Sequence, residues 1–490
     1  MITWGISANS HNASLAVFED SNLLFASDSE RFSKIKNDPH LNDDLIEYAR
    51  MTGGSPDLIC WYEKPWLKTL RQLFAGQGWQ DNSVKRYLAK YEIYSPITTY
   101  KHHHTHAAGA YFTSPFDSAC IVIIDAIGEF ETLTIWRAQG TSLKKIYSCA
   151  YPDSLGLFYS AMTKRCNLKP NEEEYILMGM SAYGDRKRLY KRIVDDFIIF
   201  PHAEAHRPIM FKHNLHRGCD WWAPDLRSEQ DKFDIAAATQ FIYEQSFTRI
   251  LQIARELVPS NNLILGGGCA LNCVANPIAF DYFNNVWIPP APGDNGSSIG
   301  AVLAHHKKHI KNFTPLLGTN ITPKTSNQQI VDHLLKNKIC GVARGRAEFG
   351  PRALGNRSLL ADPRDPNIKE VVNNIKQREQ FRPFAPAILE EHAEKFFCMP
   401  NNKSPFMQFV VNCKYPEKFP AIVHKDGSSR IQTVGKNDNH EFRKLLEIWY
   451  EKTGCPMLLN TSLNVKGQPM VNDIGDSFTW SKIYGLPVFN

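Results

Sequence analysis

One layout of strands occurs twice in the first third of this 490-residue chain, and it restricts the fold more than any single motif does. Residues 2–7 read as a buried strand, a polar turn follows over 8–12, and residues 13–19 and 23–27 read as two returning strands. The same order restarts further on. Residues 119–125 are apolar and β-branched, 126–128 supply a tight turn, and 131–137 and 142–148 come back. Helical segments follow each unit. Two such units predict a duplicated α/β domain with a ligand cleft between its halves, whose turns present backbone N–H groups to phosphate.

Past the repeat, residues 262–268 (NLILGGG) read as a strand entering a glycine turn, with a helix expected over 269–279. The turn PGDNG at 292–296 opens a second helix over 297–306. Residues 307–327 are basic and then rich in Thr, Asn and Pro, which predicts a linker. A helix over 328–336 and a strand over 338–343 then open a second α/β domain. The expected domains are 1–318 and 328–490. Eleven cysteines, odd in number and irregular in spacing, predict reduced thiols. The opening residues lack the pattern of a signal peptide and the longest apolar runs fall short of a bilayer span, so a cytoplasmic protein without membrane contact is expected. A net charge of +6 permits an anionic substrate or nucleic acid and requires neither.

Residues 341–386 interleave Arg344, Arg346, Arg352, Arg357, Arg364, Arg378, Arg382 and Lys376 with Gly, Ala, Leu, Val and Pro. Basic side chains set among turn and core residues predict several of them pointing into a shared cavity, where guanidinium forks clamp phosphate or carboxylate. The segment KHHHTHAAG at 101–109 places His102 and His106 four apart, on one face of a helix, where both reach one metal ion. His103 lies three before His106, so spacing alone leaves the first ligand open. Asp125 ends the next buried strand, and Asp294 in the PGDNG turn reaches a metal or nucleotide or else caps the following helix. Two histidines with carboxylates suit Fe(II), Mn or Zn. Gly266, Gly267 and Gly268 with Asn272 and Asn276 resemble an adenosine-contacting loop entering a helix, although three glycines after a strand often only make a turn. In the second domain KDGSSRIQ and LNTSLNV offer small hydroxyls and amides beside Arg430.

Together these segments resemble the O-carbamoyltransferases of the NodU/TobZ type over nearly the whole chain. The markers include ERFSKIKND at 30–38, HHxxHAA at 102–108, DxxGE at 125–129 and SLGLFYSAMT at 154–163. GGCALN at 267–272, GDNG at 293–296, EFGPRALGNRSLLADPR at 348–364, KxREQFRPFAP at 376–386 and NTSLNVKGQP at 460–469 continue the series. The resemblance implies an actin/hexokinase-like (ASKHA), TsaD-like N-terminal domain followed by a YrdC-like α/β domain. The latter would use ATP, with Mg2+, and carbamoyl phosphate to make a carbamoyl-adenylate through Arg352, Lys376, Arg382, Arg430 and Ser462. The former would hold a metal, Fe2+ first and Mn or Zn as alternatives, on His102, His106, Asp125 and Asp294. It would bind nucleotide at Gly267, Gly268, Asn272 and Asp294, with His11 in the cleft.

Three positions depart from the family pattern: Ala126 for glycine, Ile176 for lysine, and Met180-Ser181 for leucine-alanine. They bear on the acceptor. A sugar or natural-product alcohol is one acceptor class. The basic runs at 186–192 (RKRLYKR) and 305–311 (HHKKHIK) raise a second, a hydroxymethylpyrimidine in DNA, with the runs tracking the phosphate backbone. Asp185 is a candidate general base for the acceptor hydroxyl. A homodimer is left open. The competing functions are threonylcarbamoyl-type tRNA modification and a kinase of the same fold.

Overall fold

In the computed structural model, which describes residues 1–199, 207–401 and 403–490, the expected layout is realised twice. Ile2–Ser7 pairs antiparallel with Ser14–Glu19, beside which lies Asn22–Asp28; Leu58–Trp61 and Ile97–Thr99 add parallel strands on the other side of the first. Ser118–Gly128, Glu131–Gln139 and Ser142–Ala150 repeat the meander, and Asn262–Gly266 and Asn285–Trp287 repeat the parallel extension. Both five-stranded sheets thus have the order third, second, first, fourth, fifth, the duplicated plan of the actin/hexokinase-like fold. Ala119 to Ile124 are all buried, as expected of a central strand covered on both faces.

Two helices meet tightly in this half. Helix His102–Phe112 crosses helix Ser297–His306 at Gly300, where a β-carbon would stand 2.1 Å from the Thr105 carbonyl oxygen. Gly300 is therefore what allows the two backbones to touch. The crossing brings the histidines of the first helix beside the turn that precedes the second.

The chain divides into two compact units, Met1–Leu24 with Pro39–Phe313, and Phe25–Asp38 with Thr314–Asn490. The second is built on a mixed sheet whose strands run Phe409–Asn412, Ser428–Val434, Ala385–Leu389, Met457–Ser462, Arg357–Ala361, Ile339–Ala343 and Val488–Phe489. Helix His440–Thr453 carries Phe442, Leu445, Leu446 and Trp449 on one face, the 3.6-residue period of an amphipathic helix, and packs them with Ile330, Leu334, Val342, Leu360 and Leu458. Each such burial contributes about 1.5–3 kcal/mol. Ser326 and Gln329 close a capping box at the start of helix Asn327–Asn337.

Four expectations are corrected. Residues 126–128 stay in the strand, and the chain turns at Glu129, whose φ is +53°. No α-helix covers 269–279; Gly268–Leu271 and Asn276–Asp281 are short 3-10 turns, since the Ala275 N–H is shared by the Asn272 side chain and carbonyl, each at 3.2 Å, and Pro277 lacks a donor. The supposed linker contains strand Leu316–Ile321, paired antiparallel with Gly345–Glu348. Finally, residues 25–38, expected in the N-terminal domain, cluster with the C-terminal unit. Among the described residues no helix is long and apolar enough to cross a membrane.

Candidate metal centre and the basic segment

Strand Ser118–Gly128, helix His102–Phe112 and the turn Asp294–Gly296 converge on one buried point. Ligand atoms of His102, His106, Asp125 and Asp294 all lie within 4.8 Å of one another. His102 Nε2 is 3.0 Å from Asp125 Oδ2, 3.3 Å from Asp294 Oδ1 and 3.0 Å from His106 Nε2. His106 Nε2 is 3.3 Å from Asp125 Oδ2 and 3.4 Å from Asp294 Oδ1. Burial alone would push both carboxyls up. The imidazoles of His102 and His106 beside Asp125, and of His102 and His11 beside Asp294, hold them well below the usual range. Burial likewise disfavours imidazolium at His102, but Asp294 and Asp125 outweigh it and raise that ring well above its ordinary value. Four donor atoms, two nitrogen and two oxygen, facing one another in a buried site fit a divalent transition ion.

The surroundings fix these ligands. Asp125 Oδ1 accepts the N–H groups of Ala126 at 2.8 Å and Gly268 at 3.2 Å. Ser297 Oγ lies 3.4 Å from His106 Nδ1. Glu129, the last letter of DxxGE, accepts the N–H of His102 at 3.2 Å and of Lys64 at 2.7 Å, so a carboxylate sits at the positive end of helix His102–Phe112. Of the four histidines of the run only His102 and His106 share a site. His103, left open by spacing, turns away from the cluster to Thr134 Oγ1 at 2.9 Å, and His104 stacks on Trp136 with ring centroids 5.5 Å apart.

His11 comes within 3.6 Å of Asp294 Oδ2. Asp294 is not a helix cap, since the helix it precedes is entered through Gly296 with no side-chain cap. Gly267 adopts φ +81°, and a β-carbon there would meet the Ile124 carbonyl oxygen at 2.3 Å, so the glycine loop lies directly on the end of the strand that carries Asp125. Asn272 is buried and exchanges hydrogen bonds with Gln240 at 3.2 and 3.0 Å. Asp185 caps helix Arg186–Phe197 through the Lys187 N–H at 2.9 Å. Three residues carry no sequence signal: Tyr62, whose ring meets that of His102 edge-on at 5.4 Å, and next to it in the chain Glu63, which forms a buried pair with Lys68 at 2.7 Å, Lys68 also reaching the Asn9 carbonyl. Each stands outside any recognisable motif, so only the tertiary fold reveals them.

In the C-terminal unit, most of the arginines expected to share a cavity brace the chain. Arg357 is fully buried and donates to the carbonyls of Asn472, Arg344, Gly345, Asn356 and Thr319 at 2.9–3.2 Å. Arg344 reaches the Glu441 carbonyl, and Arg346 those of Gly318 and Leu317. Arg364 forks onto Asp362, and Arg378 stacks over Phe384 while bonding Asn373 and the Pro383 carbonyl. Lys376 is buried and directly joined to Ser462, through its carbonyl at 2.5 Å and Oγ at 3.2 Å, and to Asn464 at 2.9 Å. Burial, then the charges of Arg378 and Arg382, push its ammonium well below the ordinary lysine value. Arg382 is 3.3 Å from Glu379. Arg430 lies on Ser428–Val434 with Nε buried and without a hydrogen-bond partner, and Arg352 lies in the loop after Gly345–Glu348.

The arginines of the basic run 186–192 are also engaged. Arg188 holds Asp231 and Asp234 at 2.6 Å, Arg192 holds Asp225 at 3.0 Å, and Arg186 lies over Phe241. In the other run His305 bonds Tyr100 and His309 packs on Tyr111 and Phe112.

Comparison with known proteins places these features. Residues 62–303 match the carbamoyltransferase N-terminus family and residues 331–486 the carbamoyltransferase C-terminus family. An uncharacterized protein of Synechocystis sp. is 32% identical over 97% of this chain and 93% of its own length. Nodulation protein NolNO of Sinorhizobium fredii is 29% identical over 96% of this chain and 76% of its own. Nodulation protein U of Bradyrhizobium diazoefficiens is 30% identical over 79% and 75% respectively. Among solved structures, full-length HypF in a phosphate- and nucleotide-bound form overlaps 62% of this chain and 46% of its own at 13% identity and a TM-score of 0.36. This chain belongs to the carbamoyltransferase family, and it is a transferase.

Proposed function

We propose that the protein is an ATP-dependent O-carbamoyltransferase acting on a small-molecule alcohol. Carbamoyl phosphate is hydrolysed to carbamate and phosphate, and carbamate attacks ATP to give carbamoyl-adenylate and pyrophosphate. The acceptor hydroxyl then displaces AMP and loses its proton, leaving the O-carbamoyl ester. Carbamate is a poor electrophile, and AMP supplies the leaving group it lacks.

The observation that carries this reading is the convergence of His102, His106, Asp125 and Asp294 in a chain of this family. A divalent ion on those residues would supply Lewis acidity toward the carbamoyl carbonyl or the leaving phosphate. The chain's own part is to hold the four side chains in place through Gly268, Ser297 and Glu129, and to keep His11 beside Asp294. In the C-terminal, YrdC-like part, Lys376, Arg382, Arg430, Arg352 and Ser462 bind the phosphate and carbamoyl groups. Gly267, Gly268 and Asn272 face the nucleotide. Family resemblance supports these assignments. The small-molecule acceptor is favoured over DNA because Arg188 and Arg192 are already paired with aspartates, which withdraws two guanidiniums of the basic run from a phosphate backbone.

Pyrophosphate exchange into ATP that depends on carbamoyl phosphate tests the first half. Mass spectrometry of candidate alcohols, with hydroxymethylcytosine DNA as the other arm, tests the second. Exchange driven by bicarbonate and threonine instead would move the protein to tRNA modification. Phosphorylation of a sugar with no carbamoyl phosphate requirement would make it a kinase.

A further inference from the structure

The motif ERFSKIKND builds a short turn, Glu30–Ser33, in the C-terminal unit, and the outside of that turn is tied down. Glu30 accepts Lys36 Nζ on both oxygens at 2.8 Å and the Asn37 N–H at 2.8 Å. Lys34 pairs with Asp476 and donates to the Arg31 carbonyl at 2.7 Å. These bonds leave Arg31 facing inward, 2% exposed. Its Nη2 makes long contacts to the carbonyls of Glu348 and Gly350, at 3.4 and 3.3 Å. Nε and Nη1 are buried with no hydrogen-bond partner, and no carboxylate pairs with this guanidinium among the described residues. Glu348 does not compensate it. That carboxylate uses Oε1 on the N–H groups of Leu354, Asn356 and Arg357, and its Oε2 is itself buried without a partner.

A guanidinium keeps its charge at any working pH, and burying it with neither counter-ion nor filled donors is strongly unfavourable. Arg357 shows the structural alternative in the same unit: equally buried, it distributes its donors over five carbonyls. We propose that Arg31 contacts the phosphate-bearing substrate of the C-terminal unit, the unused N–H groups on Nε and Nη1 receiving ligand oxygens. It touches Glu348 and Gly350, at the root of the loop that carries Arg352. The identity of the ligand rests on the proposed function; the need for an anion does not.

The test uses the full chain, with inorganic phosphate and carbamoyl phosphate as probes. Arg31→Met removes the charge at similar length, and Arg31→Lys keeps the charge without the fork. Phosphate raises the melting temperature of the wild type but not of Arg31→Met. Without ligand Arg31→Met melts at or above the wild type, because an unpaired charge has gone. The KM for carbamoyl phosphate in pyrophosphate exchange rises about tenfold or more. An Arg31→Met protein that melts lower yet keeps the full phosphate response overturns the proposal, as does a wild type with no phosphate response. If Arg31→Met does not fold, Arg31→Lys decides: a raised KM at unchanged melting temperature supports the contact, and an unchanged KM overturns it. A wild type that responds to phosphate but shows no carbamoyl phosphate-dependent exchange sinks the proposed function and leaves the Arg31 contact standing.

Discussion

Gly128 packs directly against His102: a β-carbon on Gly128 would stand 2.5 Å from His102 Cδ2 and 2.6 Å from His103 Cδ2. The DxxGE motif therefore holds the ring of a candidate metal ligand as well as the chain turn. Gly128→Ala should displace that ring and lower metal affinity about 10–100-fold, the usual effect of disturbing what orients a ligand. Metal content of purified protein, with circular dichroism to verify folding, measures it. Full metal loading in the variant would contradict the packing argument.

His106→Ala should lose the metal and the transfer to alcohol while still exchanging pyrophosphate. Arg382→Ala should do the reverse, losing exchange while retaining metal. Equal loss of both half-reactions in either variant would count against two separate sites.

Arg357→Met should destabilise the C-terminal unit by about 3–5 kcal/mol, since five buried carbonyls lose a charged donor network. Arg357→Lys should recover little of this, because an ammonium cannot span the planar spread of the fork. Urea unfolding measures both. A variant within 1 kcal/mol of wild type, roughly the worth of one ordinary hydrogen bond, would show that water replaces the guanidinium.

Lys376 gives a pH signature. Its folded value lies below the ordinary lysine value of 10.5, first through burial and then through Arg378 and Arg382. Below the folded value the ammonium is charged in both states and its burial cost is fully present. As pH rises from there toward 10.5 the unfolded chain binds more protons than the folded one, so stability rises. Lys376→Met should abolish that rise, making the wild-type-minus-variant difference in urea midpoint grow with pH across this window. Parallel curves would show that the lysine is not depressed.

Much of the fold was legible because it rests on period. Strand runs such as 119–125 are local signals. Spacing also brought His102 and His106 to one face, yet it left His103 open, since only Thr134 across the fold draws that ring away. The basic segment shows the opposite limit. A guanidinium that clamps phosphate and one that braces carbonyls look alike in composition, and Arg344, Arg346 and Arg357 proved to be braces. The helix expected after Gly268 gives way to 3-10 turns for a local reason: the Ala275 N–H is held by Asn272 alone, through both its side chain and its carbonyl, a three-residue rather than a four-residue spacing.

The assignment of Phe25–Asp38 to the C-terminal unit has a consequence for synthesis of the chain. Arg31 and its carbonyl partner at Glu348 are 317 residues apart. At ordinary elongation speeds of roughly 5–20 residues per second, the earlier segment leaves the ribosome some ~15–60 s before the strands that enclose it. During that interval Arg31 lacks the Glu348 and Gly350 carbonyls it contacts in the finished chain. Slowing or pausing translation near residue 314 should therefore lengthen the lifetime of a chaperone-accessible nascent chain, and a fragment beginning at Thr314 lacks a piece of its own core.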